Sequence, residues 1–197
     1  RDTVRNIREY VHIGRCLVAR IFYVDGLATL FAFGGVFAAG SFDFDESALL
    51  FFGIALNSTA GLGSFVFSWL DDHVGSQRTI LYSLAGLIFS GSTLLLAHSE
   101  LLFWIAGLTL GVFVGPVQAA SRSYMARVAP PSMVNEMFGL YAFSGKATSF
   151  AGPLLVGWIT FATGSQRIGM SIIIVMFVIG FLLMLTVPRA VETKTRS

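Results

Sequence analysis

The chain has 197 residues, 55% of them hydrophobic and only 12% charged, with a mean hydropathy of +0.76 and a formal net charge of +2. This is too apolar for a soluble domain of its length, and no basic patch with interleaved aromatics points to nucleic acid. One cysteine, Cys16, excludes an internal disulfide and a multi-cysteine metal site, and His12, His73 and His98 have no ligand spacing, so neither a metal nor a cofactor is expected.

Residues 1–17 are polar and basic, with Arg1, Arg5, Arg8 and Arg15 against Asp2 and Glu9. Val4, Ile7 and Val11 recur at helical spacing, as in a short amphipathic surface helix or a solvated linker. The chain opens without a methionine or a signal peptide, and is expected to be a piece of a longer protein.

Six apolar segments follow, each long enough to cross a bilayer, at about 18–40, 46–70, 77–97, 101–125, 136–162 and 167–188, with a polar tail over 189–197. The short loops between them make sequence neighbours antiparallel neighbours in space. The basic residues sort by side. Those before residue 21, with Arg78, Arg122, Arg127, Arg189, Lys194 and Arg196, collect at one face, whereas the other face has only Arg167. By the positive-inside rule both chain ends lie in the cytoplasm.

The first segment carries Asp25 on a small, polar stripe with Ala28, Thr29, Ala32, Gly35 and Ala39. An acid at that depth is expected to be paired, with Arg20 or Arg122, or to take up a proton. The second carries Asn57 beside Gly53, Ala60, Gly61 and Ser64, placed to hydrogen-bond across helices or to a solute. In the fourth, Gly107, Gly111, Gly115, Gln118 and Arg122 share a stripe, and the Gly115-Pro116 pair permits a kink. Arg122 is close enough to the end of its span to snorkel instead. The third and sixth segments have no charged or amide side chain in their cores and are expected to lie outside, against lipid.

The fifth segment has a lysine, Lys146, roughly 15 Å along the helix axis from Glu136 and so near mid-bilayer. A cation there costs roughly 2.5 kcal/mol or more and marks a functional site by default, although snorkelling or pairing would explain it too. Lys146 shares its stripe with Gly139, Ala142, Ser149, Pro153 and Gly157, so it is expected to face other helices or a wet cavity. Polar stripes on segments one, two, four and five, and none on three and six, repeat with a period of three helices. The expected fold is an all-α polytopic membrane protein of six spans arranged as two three-helix repeats.

The loop over 68–78 resembles the loop signature of the major facilitator superfamily: Ser68, then Asp72, Gly75 and Arg78, with Ser68 in place of glycine and Ser76 and Gln77 where basic residues are usual. A closer resemblance, to the vacuole-effluxer-like branch that includes autophagy-related amino-acid effluxers, is carried by residues 19–40, 115–127 and 137–157. The resemblance implies the C-terminal six-helix half of a twelve-span carrier that works by alternating access, with the N-terminal half as its partner. It supplies no agreed set of substrate ligands.

The expected function is secondary transport of a small solute, amino-acid-like at the level of the family, with proton coupling open. The expected location is the cell (inner) membrane, or the vacuolar membrane in a eukaryote. Asp25, Thr29, Asn57, Gln118, Lys146 and Ser149 are the expected substrate or ion pathway, and Asp25, Arg122 and Asp72 the expected gate. The alternatives are a non-transporting scaffold or receptor on a carrier fold, and an intramembrane enzyme using Lys146 with Ser144 or Ser149. The expectation is that the chain is not an enzyme.

Overall fold

The computed structural model describes residues 2–130, 133–146 and 148–187. Among these the regular elements are all helices: α1 (Asp2–Phe42), α2 (Glu46–Val74), α3 (Ser76–Leu96), α4 (Glu100–Val128), α5 (Val134–Lys146), α6 (Ala151–Thr163) and α7 (Gln166–Leu185). The tail expected over 189–197 and the charge of Arg1 lie outside the described residues.

Local chemistry sets several of the ends. The Asp45 carboxylate accepts the Ala48 N–H at 2.8 Å and starts α2. Gly75, at φ 88°, turns the chain from α2 into α3 in a backbone conformation that a Cβ would strain. Gly164, at φ 65°, closes α6 as a left-handed cap. Pro116 sits inside α4, which continues through it.

Among the described residues five helices are long and apolar enough to cross a membrane: the 11–42 part of α1, then α2, α3, α4 and α7. The span expected at 136–162 differs. It is two helices, α5 and α6, of 13 residues each, at about 1.5 Å per residue each too short to cross a ~30 Å core alone. The two are separated by a break after Lys146, with turn residues at 148–150 just before Gly152-Pro153.

α4 packs on α2 and α3, and α1 on α7, α5 and α6; α3 and α7 meet each other. Glycines bring α2 and α4 backbone to backbone. A Cβ on Gly111 would lie 2.9 Å from the Leu56 carbonyl oxygen, and one on Gly107 would run into the Phe52 ring. At one end of the bundle Phe42, Phe44 and Phe52 surround Phe103, with ring centroids 4.7, 5.4 and 5.1 Å away. At the other, Ile13, Met125, Met137 and Tyr141 form a separate small cluster. The Tyr23 and Ser121 hydroxyls, 2.7 Å apart, tie α1 to α4 between these ends.

Two polar side chains fasten α7 to α3. Gln77, at the signature position where a basic residue is usual, is buried, and its amide donates to the Met184 carbonyl at 3.3 Å and to that of Val187. Arg167 donates to the Leu95 carbonyl at 2.6 Å. Both arginine and glutamine thus meet carbonyls left over at helix C-termini. α3 and α7 each bury one face and expose the other, through Tyr82 and Phe89 and through Val175 and Leu182. α2 is barely covered: 11% of its apolar window is buried, against 39% or 44% in the other four long helices. Phe51, Ile54, Leu62, Phe65 and Trp69 therefore make an exposed face.

Candidate functional site

The break between α5 and α6 is where the polar chemistry of the bundle collects. α5 ends at Lys146 and α6 begins at Ala151. The turn between them is held by Ala151 N–H to the Thr148 carbonyl, 2.8 Å, and by the Ser149 hydroxyl to the Lys146 carbonyl, 3.1 Å. Interrupting a helix in an apolar setting exposes carbonyls at one new end and N–H groups at the other, and each set needs partners.

α1 supplies them. Arg20 reaches α5, where its Nη1 donates to the Tyr141 carbonyl at 2.6 Å and to the Ser144 hydroxyl at 2.8 Å. Its guanidinium lies 3.5 Å from the centroid of the Tyr141 ring. Five residues on, the Asp25 Oδ2 accepts the Gly152 N–H in the first turn of α6, at 3.0 Å. A cation near the C-terminal end of α5 and an anion at the N-terminal end of α6 both match the helix dipoles. Gly152 is required by closeness, because a Cβ there would run into the Thr29 hydroxyl and come within 3.3 Å of the Asp25 carbonyl oxygen. Thr29 in turn donates to that carbonyl at 2.7 Å.

Asp25 is 3% exposed, and its second oxygen, Oδ1, is buried with no hydrogen-bond partner among the described residues. The expected ion pair with Arg20 or Arg122 is not present. At about 100° per residue, five residues turn a helix by about 140° beyond a full turn, so Arg20 and Asp25 point to different neighbours. Arg122 is exposed and takes no part in the ion pairs among the described residues. Asp72 pairs instead with Arg127, at 3.6 Å, and the buried Asp71 lies 3.4 Å from the same Arg127 Nη2.

The remaining expected residues divide. Thr29 is buried beside Asp25, and Gln118 is half-buried on α4. Asn57, Lys146 and Ser149 are exposed; the Asn57 amide donates to the Gly53 carbonyl at 2.8 Å. The structure thus brings Asp25, Thr29, Lys146 and Ser149 to one helix break and leaves Asn57 on the uncovered α2 face. The serines of the enzymatic alternative are bonded elsewhere: Ser144 donates to the Tyr141 carbonyl at 2.8 Å, and Ser149 to a backbone carbonyl, not to the lysine amine.

Sequence reasoning missed Arg20, Ser144 and the Gly152 N–H as parts of this node, and Asp71 and Arg127 at the α2–α4 end. The five-residue spacing of Arg20 and Asp25 was the available signal, since it argues against a pair on one helix face and for two separate partners.

The chain matches the sequence model of a family described as vacuole effluxer Atg22-like over residues 1–196. It is 31% identical over 201 residues to an MFS-type transporter, YxiO, of Bacillus subtilis, a match covering 98% of this chain and 45% of that protein. It is 34% identical over 99 residues to autophagy-related protein 22 of Cryptococcus neoformans, covering 50% of this chain and 17% of that one. With the same-named protein of Candida glabrata it shares 27% identity over 168 residues, 78% of this chain and 30% of that one. The chain therefore spans less than half the length of these relatives. No solved structure matches it.

Proposed function

This chain belongs to the vacuole effluxer Atg22-like family, and from that premise we propose that it is the six-span half of a secondary transporter for a small, amino-acid-like solute. α5 and α6 together make the fifth of its six spans, broken at its middle. The single observation that carries the reading is the brace on that break: Arg20 on the end of α5 and Asp25 on the start of α6. Discontinuous helices with charged or dipolar ends at mid-membrane are how carriers hold solutes and ions.

The packing supports two three-helix repeats, α1–α3 and α4–α7. α1 lies on α7 as α4 lies on α3, α5 and α6 lie on α1 as α2 lies on α4, and α3 meets α7 where a two-fold axis would pass. In such an arrangement the exposed faces of α2, α5 and α6 await a second helical half, and a cavity between the halves receives Lys146, Ser149, Asn57 and Gln118. Lys146 would hold a carboxylate of the solute. Asp25, with its second oxygen free, is the proton site of a proton-coupled cycle, and movement of α6 against α1 opens and closes the pathway.

At the end of the bundle where α2 and α4 finish, Asp25, Asp72 and Arg122 form the gate, with Arg122 reaching Asp25 in a state other than this one. The distribution of basic residues puts both chain ends in the cytoplasm.

Counterflow of labelled amino acids in liposomes containing the complete carrier, this half together with its partner half, tests the proposal. Exchange of one solute class, lost in Lys146→Ala, is the expected result. A scaffold or receptor on the same fold would bind without exchanging.

A further inference from the structure

Between α2, α3 and α4, away from the helix break, lies a small polar cavity of about 40 Å³. Ser64, Ser68, Asp71, Thr79 and Ser123 bring oxygen atoms to its wall. Asp71 is only 6% exposed, and its Oδ1 is buried with no hydrogen-bond partner among the described residues. Its other oxygen, Oδ2, lies 3.4 Å from the Arg127 Nη2, which is also 3.6 Å from Asp72.

We propose that this cavity binds one small monovalent cation, sodium, on the free oxygen of Asp71 and the surrounding hydroxyls. Charge is the first argument. Asp71 is buried and shares the single Arg127 guanidinium with the exposed Asp72, so its Oδ1 faces the interior with no donor of its own, a costly arrangement for a buried carboxylate. Donor chemistry is the second. The wall presents only oxygen among its polar side chains, the set that suits hard cations. Ser64 and Thr79 give their protons to the carbonyls of Ala60, at 2.8 Å, and Gly75, at 3.2 Å. Their lone pairs remain for a cation. Size is the third: the space admits an ion with a water molecule and no organic solute. A single carboxylate on the wall, already shared with a guanidinium, matches a monovalent ion better than a divalent one. Because the wall joins three helices, an ion there stabilises their packing, whatever the transported solute.

The protein purified from membranes should be melted in rising sodium chloride, with choline chloride holding ionic strength constant, and separately in potassium chloride. We expect a saturable rise in Tm with sodium, half-saturating at a concentration at least about tenfold lower than for potassium. Ser68→Ala and Ser123→Ala, which leave the Asp71–Arg127 pair intact, should each raise the half-saturating sodium concentration about tenfold, while melting normally in choline. Asp71→Asn should abolish the sodium response, and radioactive sodium should bind the wild type with a stoichiometry of one. If Asp71→Asn does not fold, the two serine variants decide. A wild type equally stable in sodium and choline holds only water in this cavity and overturns the proposal. Equal responses to sodium and potassium overturn the assignment to sodium, and unchanged half-saturation in both serine variants places the ion elsewhere.

Discussion

The Asp25 carboxylate accepts the Gly152 N–H at 3.0 Å, joining the middle of α1 to the first turn of α6. Removing the acceptor leaves that N–H unsatisfied in an apolar interior, so Asp25→Ala should destabilise the protein by about 1–3 kcal/mol. Asp25→Asn keeps an acceptor and should melt close to wild type, while losing proton-driven accumulation and retaining counterflow. Wild-type pH-driven uptake by Asp25→Asn would take the proton away from this residue.

Gly152→Ala drives a methyl group into Thr29 and should cost about 1–3 kcal/mol. Adding Thr29→Ala removes the hydroxyl that it strikes and should recover part of the loss. Equal melting temperatures for the single and double variants would mean that the two helices simply move apart.

Arg20 uses a flat, forked cation both to donate to α5 and to lie on the Tyr141 ring. Lysine does neither well. Arg20→Lys should therefore lower both stability and transport. A double-mutant cycle of Arg20→Lys with Tyr141→Leu should return a coupling of about 0.5–2 kcal/mol. Additive effects would show that the stacking contributes nothing.

Lys146 is exposed at the end of α5, with no hydrogen bond or ion pair from its amine among the described residues. Lys146→Ala should melt within about 0.5 kcal/mol of wild type and lose binding of anionic or zwitterionic solutes, with Lys146→Arg keeping part of it. Wild-type binding and pH-driven transport in the alanine variant would remove Lys146 from the pathway.

Orientation is measurable with membrane-impermeant maleimide, although not on Cys16, which is 3% exposed in the α1 interface. Single cysteines at Asp72 and Glu100, exposed near opposite ends of the bundle, are better reporters. Glu100→Cys should label in intact cells, and Asp72→Cys only in inside-out vesicles. The reverse pattern would invert the topology.

Asp45 caps α2, and the N–H of Ala48, followed by the Ser47 hydroxyl, holds its carboxyl below the ordinary value. A lowered folded-state pKa contributes stability above the unfolded value and loses it as pH falls through the folded one. The difference in Tm between wild type and Asp45→Ala should thus be constant near neutrality and shrink on acidification below the usual carboxylate range. A difference independent of pH would assign the cap to the backbone alone.

Apolar composition over 18–40, 46–70, 77–97, 101–125 and 167–188 is enough to read five long helices, because burying backbone in lipid demands internal hydrogen bonds whatever the tertiary fold. Asp25 and Lys146 were legible as special for a similar reason: a charge in an apolar run needs a cause. The break after Lys146 was not legible. Hydropathy averages over residues 136–162 and takes no account of which amides are bonded, and nothing local in Thr148, Ser149 and Phe150 forbids a helix. Only the tertiary structure decides it, because Arg20 and Asp25 satisfy the ends of the broken helix from a neighbour more than a hundred residues away in the chain. Their partners are largely the Tyr141 carbonyl and the Gly152 N–H, backbone groups that every residue type but proline carries alike, so the spacing of Arg20 and Asp25 implies two partners without identifying either.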